Sequence, residues 1–198
     1  MKQQLEIRKV GIVHGYAGSG ATHWQSWLER RCKTFGTETH FPKLPDRFSL
    51  PKLSAWLEAL DRTMPIIDDT TALIGHSLGC PTIFQLLKSD RIKQVGLVAL
   101  VAPSSRIRVE GSSLPEQLKS TVMGFYDDFD PTYVADKAKR IEIYASDNDM
   151  WVDPDITFQL ALGMRANFHL IHGAGHFSPS NGHYKFPEIF DLIRCCTM

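Results

Sequence analysis

Long apolar runs are missing from this 198-residue chain. No stretch approaches 18 consecutive apolar residues, so no membrane-spanning helix is expected. Residues 1–6 have no apolar core ahead of the charged Glu6, Arg8 and Lys9, which argues against a signal peptide and predicts a cytoplasmic protein. Cysteine is sparse as well. The four present, Cys32, Cys80, Cys195 and Cys196, have neither the C-x-x-C spacing of a zinc site nor the density of a secreted disulfide framework, and they read as free thiols. Neither sign of charge is in excess: 22 Lys plus Arg against 22 Asp plus Glu give a formal net charge of zero. That balance removes the electrostatic footprint of a general nucleic-acid or anionic-membrane binder. The expected partner is a small molecule, with no nucleic acid and no membrane, while protein partners stay open. Internal repeats and low-complexity tracts are missing too.

What is present is an ordinary globular composition, 43% hydrophobic and 22% charged, at a length that suits one domain spanning 1–198. Short apolar segments alternate with helical patterns, the sign of an α/β fold with a mostly parallel sheet flanked by helices. About six strands are expected, at 9–14, 37–41, 71–75, 94–101, 140–145 and 167–171. Several are near-continuous apolar runs suited to burial on both faces. Helical spacing predicts helices at 22–33, from Leu53, and at 78–88, 154–162 and 187–194, with Trp24, Trp27 and Trp56 in the core. The stretch 104–139 breaks the rhythm, with Gly111-Ser112-Ser113, a short helix around 114–122, and then 125–131. It reads as an excursion between two strands, either a cover for a site or an ordinary crossover.

The sharpest chemical signal is Gly75-His76-Ser77-Leu78-Gly79, which follows the apolar run 71–74 and precedes a helical pattern. A serine at such a strand-to-helix turn is forced into a tight conformation with its hydroxyl exposed, and the flanking glycines remove side chains where strand and helix approach. This is a nucleophile elbow. A serine hydroxyl needs a base within hydrogen-bond reach and a group to orient that base. In the hydrolase topology these follow in the order nucleophile, acid, histidine. Ser146-Asp147-Asn148-Asp149 follows one strand and His172-Gly173-Ala174-Gly175-His176 follows another.

His176 is the expected base, with His172 as a structural rival nearer the strand end. Asp149 is preferred as the acid, and Asp147 is the alternative, which would otherwise support the loop. One oxyanion donor is expected from the main-chain N–H of Leu78, and a second from the glycine-rich loop 14–20, best placed at Tyr16. That loop lacks the Gly-Lys-Ser/Thr ending of a P-loop, and the glycines between His172 and His176 deny them a shared helical face for zinc.

Taken together, these residues resemble the small α/β-hydrolase serine hydrolases that include retinoblastoma-binding protein nine and its bacterial relatives. The resemblance rests on His14-Gly15-Tyr16 with Gly18-Ser19-Gly20, on His23-Trp24-Gln25-Ser26-Trp27, on the elbow, on Ala145 to Asp149, and on Gly175-His176-Phe177 with Ser180-Asn181-Gly182-His183. It implies Ser77, Asp149 and His176 as the triad, with no metal and no cofactor. Met150 and Phe186 depart from the family's usual residues and are expected to reshape the pocket. The L-x-C-x-E segment of the mammalian relative is absent, so its protein partnership does not carry over. The expected activity is hydrolysis of a small carboxylic ester, amide or thioester through an acyl-enzyme. The alternatives are acyl transfer on the same scaffold, or a binding protein with a vestigial triad.

Overall fold

Six parallel strands build one sheet in the order β2-β1-β3-β4-β5-β6: β1 (Lys9–Val13), β2 (Glu38–His40), β3 (Thr71–His76), β4 (Val95–Val101), β5 (Ala138–Ser146) and β6 (Asn167–Ile171). The computed structural model describes residues 5–16, 18, 20–45, 50–105, 116–127 and 130–197. Helices α1 (Trp24–Phe35), α2 (Leu53–Thr63), α3 (Gly79–Leu87), α4 (Glu116–Met123), α5 (Pro131–Lys137), α6 (Pro154–Gly163) and α7 (Pro187–Cys195) cover it. Among the described residues no helix is long and apolar enough to cross a membrane.

The strand side chains divide between two apolar layers because successive residues of a strand point to opposite faces. Val10 and Ile12 of β1, Ala72 and Ile74 of β3 and Leu97 and Ala99 of β4 pack with Trp24 and Leu28 of α1 and with Ile189 and Ile193 of α7. Leu73, Val98, Leu100, Ile141 and Ile143 face the other way, onto Trp56 of α2, Ile83 and Phe84 of α3, Val134 of α5 and Leu160 of α6. β3 and β4 are buried along their whole length, as their continuous apolar sequence predicts.

The six expected strands all form, with ends shifted by at most two residues. Two details differ from the sequence reading. Trp24 and Trp56 are fully buried, but Trp27 is only half-buried at the edge of the α1/α7 layer, its ring edge-on to Phe190 at 6.2 Å between centroids. The excursion carries α4, a 3-10 turn at Gly124–Tyr126 and a helix the sequence reading did not expect, α5, where the Asp130 side chain accepts from the Thr132 N–H and Pro131 opens the helix. The Gly111-Ser112-Ser113 motif and Leu114 lie outside the described residues.

Chain direction from β1 runs first to β2 on one side and then to β3 on the other, so the sheet's topological switch lies between β1 and β3. Crevices at the carboxyl ends of strands beside such a switch are where open α/β sheets bind ligands. The loop after β1 begins at His14, and Ser77 follows β3 directly.

Candidate active site

Ser77 sits on the turn from β3 into α3 with φ 51°, a left-handed conformation that is costly for a residue with a Cβ and persists only where the surroundings enforce it. The enforcement is visible. The Ser77 N–H donates to the Val101 carbonyl at the end of β4 (2.9 Å), and the Ser77 carbonyl accepts from the Cys80 N–H (2.9 Å). The motif glycines have specific reasons too. A Cβ on Gly79 would run into the Val13 carbonyl oxygen, and one on Gly75 would lie 2.9 Å from Ile83 Cδ1 and 3.1 Å from Cys80 Cα. Only glycine lets α3 start this close to β1 and β3.

The three residues expected to act together do meet. His176 Nε2 lies 2.9 Å from Ser77 Oγ, and His176 Nδ1 lies 2.8 Å and 3.0 Å from the two carboxyl oxygens of Asp149. A carboxylate only accepts, so Nδ1 carries the hydrogen and Nε2 keeps its lone pair toward the serine hydroxyl. Asp149 is buried, and its Oδ1 also accepts from the N–H groups of Trp151 (2.8 Å) and Val152 (3.2 Å). Its loop therefore fixes the carboxyl group before the histidine meets it.

Asp147 and His172 form a separate pair at the surface. Asp147 Oδ2 lies 2.7 Å from His172 Nδ1, and Oδ1 accepts from the Gly173 N–H at 2.8 Å. The Gly173 hydrogen bond first, and His172 second, hold the exposed Asp147 carboxyl below the usual carboxylate range. This pair ties the loop after β5 to the loop after β6.

Sequence reasoning passed over a second set of residues that hold His176 by its backbone. The ring of His76, buried between β3 and the elbow, donates from Nε2 to the His176 carbonyl at 3.0 Å, and its Nδ1 accepts from Gln25 Nε2 at 3.0 Å. Burial, reinforced by the neighbouring His176, pushes the His76 imidazole down to about 3, so it is neutral near pH 7 with its hydrogen on Nε2. The N–H of the same residue is held by Asn181, whose Oδ1 accepts from it at 3.1 Å. Asn148 Oδ1 accepts from the Gly175 N–H at 2.6 Å. Gln25 alone carried a signal, a polar residue among the apolar positions of α1.

Gly15 presses against the elbow: a Cβ there would lie 2.9 Å from Ser77 Cβ and 3.1 Å from the His76 carbonyl oxygen. Tyr16, next in the chain, and Leu78, the residue preceding α3, both line the cavity beside Ser77, as does His176. The cavity measures about 240 Å³ and is walled mainly by apolar atoms. The two departures from the family pattern lie outside its lining. Met150 is 70% exposed, and Phe186 is buried behind the site against Trp24 and Phe177; neither lines the cavity.

The family model for serine hydrolases matches residues 10–195. The chain belongs to that family. In sequence it is similar to YdeN of Bacillus subtilis (strain 168), with 29% identity over 189 residues that span 94% of each chain. The crystal structure of the ydeN gene product superposes with a TM-score of 0.81 at 28% identity, covering 94% of this chain and 97% of that one. Est1E from Butyrivibrio proteoclasticus, solved with ferulic acid bound, shares the fold at a TM-score of 0.69 and 15% identity, over 96% and 87% of the two chains. The protein is thus an α/β hydrolase in fold and a hydrolase by family.

Proposed function

We propose that the protein hydrolyses a small carboxylic ester through an acyl-enzyme on Ser77. The observation that carries this reading is the continuous line from Ser77 Oγ to His176 Nε2, 2.9 Å, and from His176 Nδ1 to Asp149, 2.8 Å. Ser77 Oγ attacks the ester carbonyl while its proton passes to His176 Nε2. Asp149 keeps the imidazole in the tautomer that can take that proton and stabilises the imidazolium formed. The tetrahedral oxyanion is received by the main-chain N–H groups of Leu78 and Tyr16, the first supported by its position at the helix start and the second by the packing of Gly15 on the nucleophile. Collapse expels the alcohol, which takes the proton from His176. Water then enters by the same route: its oxygen attacks the acyl carbon as His176 takes its proton, the acyl–oxygen bond to Ser77 breaks, and Ser77 Oγ takes that proton back from His176 as the acid leaves.

Binding of a ligand without turnover is the reading this one displaces, because a buried acid, an oriented base and a strained serine would have no use in it. The test is labelling with an uncharged fluorophosphonate probe followed by peptide mapping. Ser77 is the expected modified residue, and Ser77→Ala is expected to abolish labelling and ester hydrolysis while the protein remains folded. A folded Ser77→Ala protein with undiminished hydrolysis, or a wild type that the probe does not modify, would overturn it.

A further inference from the structure

The cavity beside Ser77 has a composition that selects among substrates. We propose that it is an acyl site for uncharged, apolar acyl groups of about eight heavy atoms, whose length limit is set by the wall that α4 and the following 3-10 turn contribute. The proposal rests on the hydrolase reading above and names its substrate class.

Size comes first. A cavity of about 240 Å³ holds roughly eight groups of water size, at about 30 Å³ each. That falls below the range of drug-sized sites. Leu118 and Val122 stand four residues apart on α4, so they present one apolar face, and both line the cavity with Tyr126 from the 3-10 turn. Trp151 and Val152, which follow the triad acid, complete the apolar lining.

Charge is the second argument. No Asp, Glu, Lys or Arg lines the cavity among the described residues. Three lining groups are shifted toward their uncharged forms: burial, then His14, lowers His23; burial lowers His76; burial raises the Tyr126 phenol. A carboxylate or ammonium on the acyl group would lose its water and meet no opposite charge. An apolar chain gains about fourfold in kcat/KM for each methylene it buries.

The wall is fixed rather than loose, which is what makes a length limit possible. Phe125, between Tyr126 and α4, is fully buried and packs edge-on to Trp56 at 5.2 Å. Gln85 Nε2, on the helix that starts at the elbow, donates to the carbonyls of Asp127 (2.7 Å) and Phe125 (3.4 Å). The nucleophile and the acyl wall therefore share one support, α3. The acyl group is also the part of the substrate that stays on Ser77 between the two half-reactions, so it is the part a fixed apolar wall serves.

The test is kcat/KM for p-nitrophenyl esters from acetate to dodecanoate, with the p-nitrophenyl monosuccinate, whose acyl group has as many heavy atoms as hexanoyl but ends in a carboxylate. The expected profile climbs to a maximum at six to eight carbons, and the monosuccinate is at least a hundredfold poorer than the hexanoate. Val122→Trp is expected to lower the hexanoate-to-acetate ratio by at least tenfold. Val122→Ala, which cannot overfill the site, is expected to shift the maximum toward longer chains. A flat profile, a monosuccinate as good as the hexanoate, or ratios unmoved in both variants would overturn the acyl site. A flat profile here with a rising one for acetates of longer alcohols would assign the cavity to the leaving group and overturn it equally. Failure of the fluorophosphonate probe to modify Ser77 would instead overturn the hydrolase reading beneath it.

Discussion

The Nε2–H of His76 donates to the main-chain oxygen of His176 at 3.0 Å, so the residue just before Ser77 holds the backbone of His176. The two are 100 positions apart in sequence, and their rings lie 5.2 Å apart between centroids. Gln25 sets the direction of this bond by donating to Nδ1, which leaves the hydrogen on Nε2. Because Asn181 holds the N–H of the same residue, both main-chain polar groups of His176 are held.

In the proposed reaction His76 would accordingly position His176. His76→Phe should lower kcat by about ten- to a hundredfold with little change in KM, since misplacement of a catalytic group by about 1 Å costs on that order. His76→Gln keeps a donor and should recover much of the loss. Steady-state kinetics on one activated ester decide it: a fall in both variants that appears in KM alone, or equal loss in both, would leave no positioning role.

Gly15 should tolerate a Cβ in its own backbone but not against its neighbours, since it has no positive φ and the added atom would press on Ser77. Gly15→Ala is expected to lower kcat/KM by about ten- to a hundredfold and to cost about 1 to 3 kcal/mol of stability. Ester kinetics and urea unfolding on the same preparation check both. Wild-type kinetics in the variant would mean that the loop shifts away without loss and that Tyr16 has no fixed place at the oxyanion.

Much of this site was legible in the sequence because its parts announce themselves locally. The elbow needs Gly75 and Gly79 for close approach, the carboxylates Asp147 and Asp149 follow one strand end, and His176 stands on a glycine-rich loop after another, so Ser77, His176 and a choice of two carboxylates come from pattern. The preference for Asp149 over Asp147 agrees with the distances, although both sit on one short loop. The supporting bonds were hidden for a physical reason. His76, Gln25 and Asn181 act through single hydrogen bonds to partners fixed only by the sheet order, and nothing in the residues beside them encodes the partner. The half-buried Trp27 has a similar cause: helical spacing marks an apolar stripe, but how far α7 covers that stripe is a tertiary matter.

The two carboxylates of the loop after β5 should separate sharply. In Asp149→Asn the Oδ1 can still accept from Trp151 and Val152, which turns the amide NH₂ toward His176 Nδ1. The imidazole must then carry its hydrogen on Nε2 and cannot accept from Ser77, a change that costs about ten-thousand-fold in kcat in comparable triads. Asp147→Asn removes an exposed, solvent-screened pair with His172 and should change kcat less than about tenfold, with little change in stability. The reverse pattern, a dead Asp147 variant beside an active Asp149→Asn, would move the acid two residues along the loop.

Burial of His76 also ties stability to pH. Folding holds its imidazole near 3, against about 6.5 in the unfolded chain. Between those values the unfolded chain binds a proton that the folded protein does not, so stability rises with pH across the window and is lost as pH falls below about 6.5. Integrated from pH 7.5 to pH 5, this one group removes about 2 kcal/mol. His23 and His183, both lowered by burial, act in the same direction, so the comparison must be between proteins that differ only at His76. Asp68, which burial alone would raise but which bonds from Lys9 and Thr70 hold down to about 2, loses its contribution only below its ordinary value and stays outside this range. Urea unfolding at pH 7.5 and pH 5 should show the wild type losing about 2 kcal/mol more than His76→Gln. Equal losses in the two proteins would mean that His76 takes up its proton in the folded state as readily as in the unfolded one, and that the neutral tautomer assigned to it does not hold.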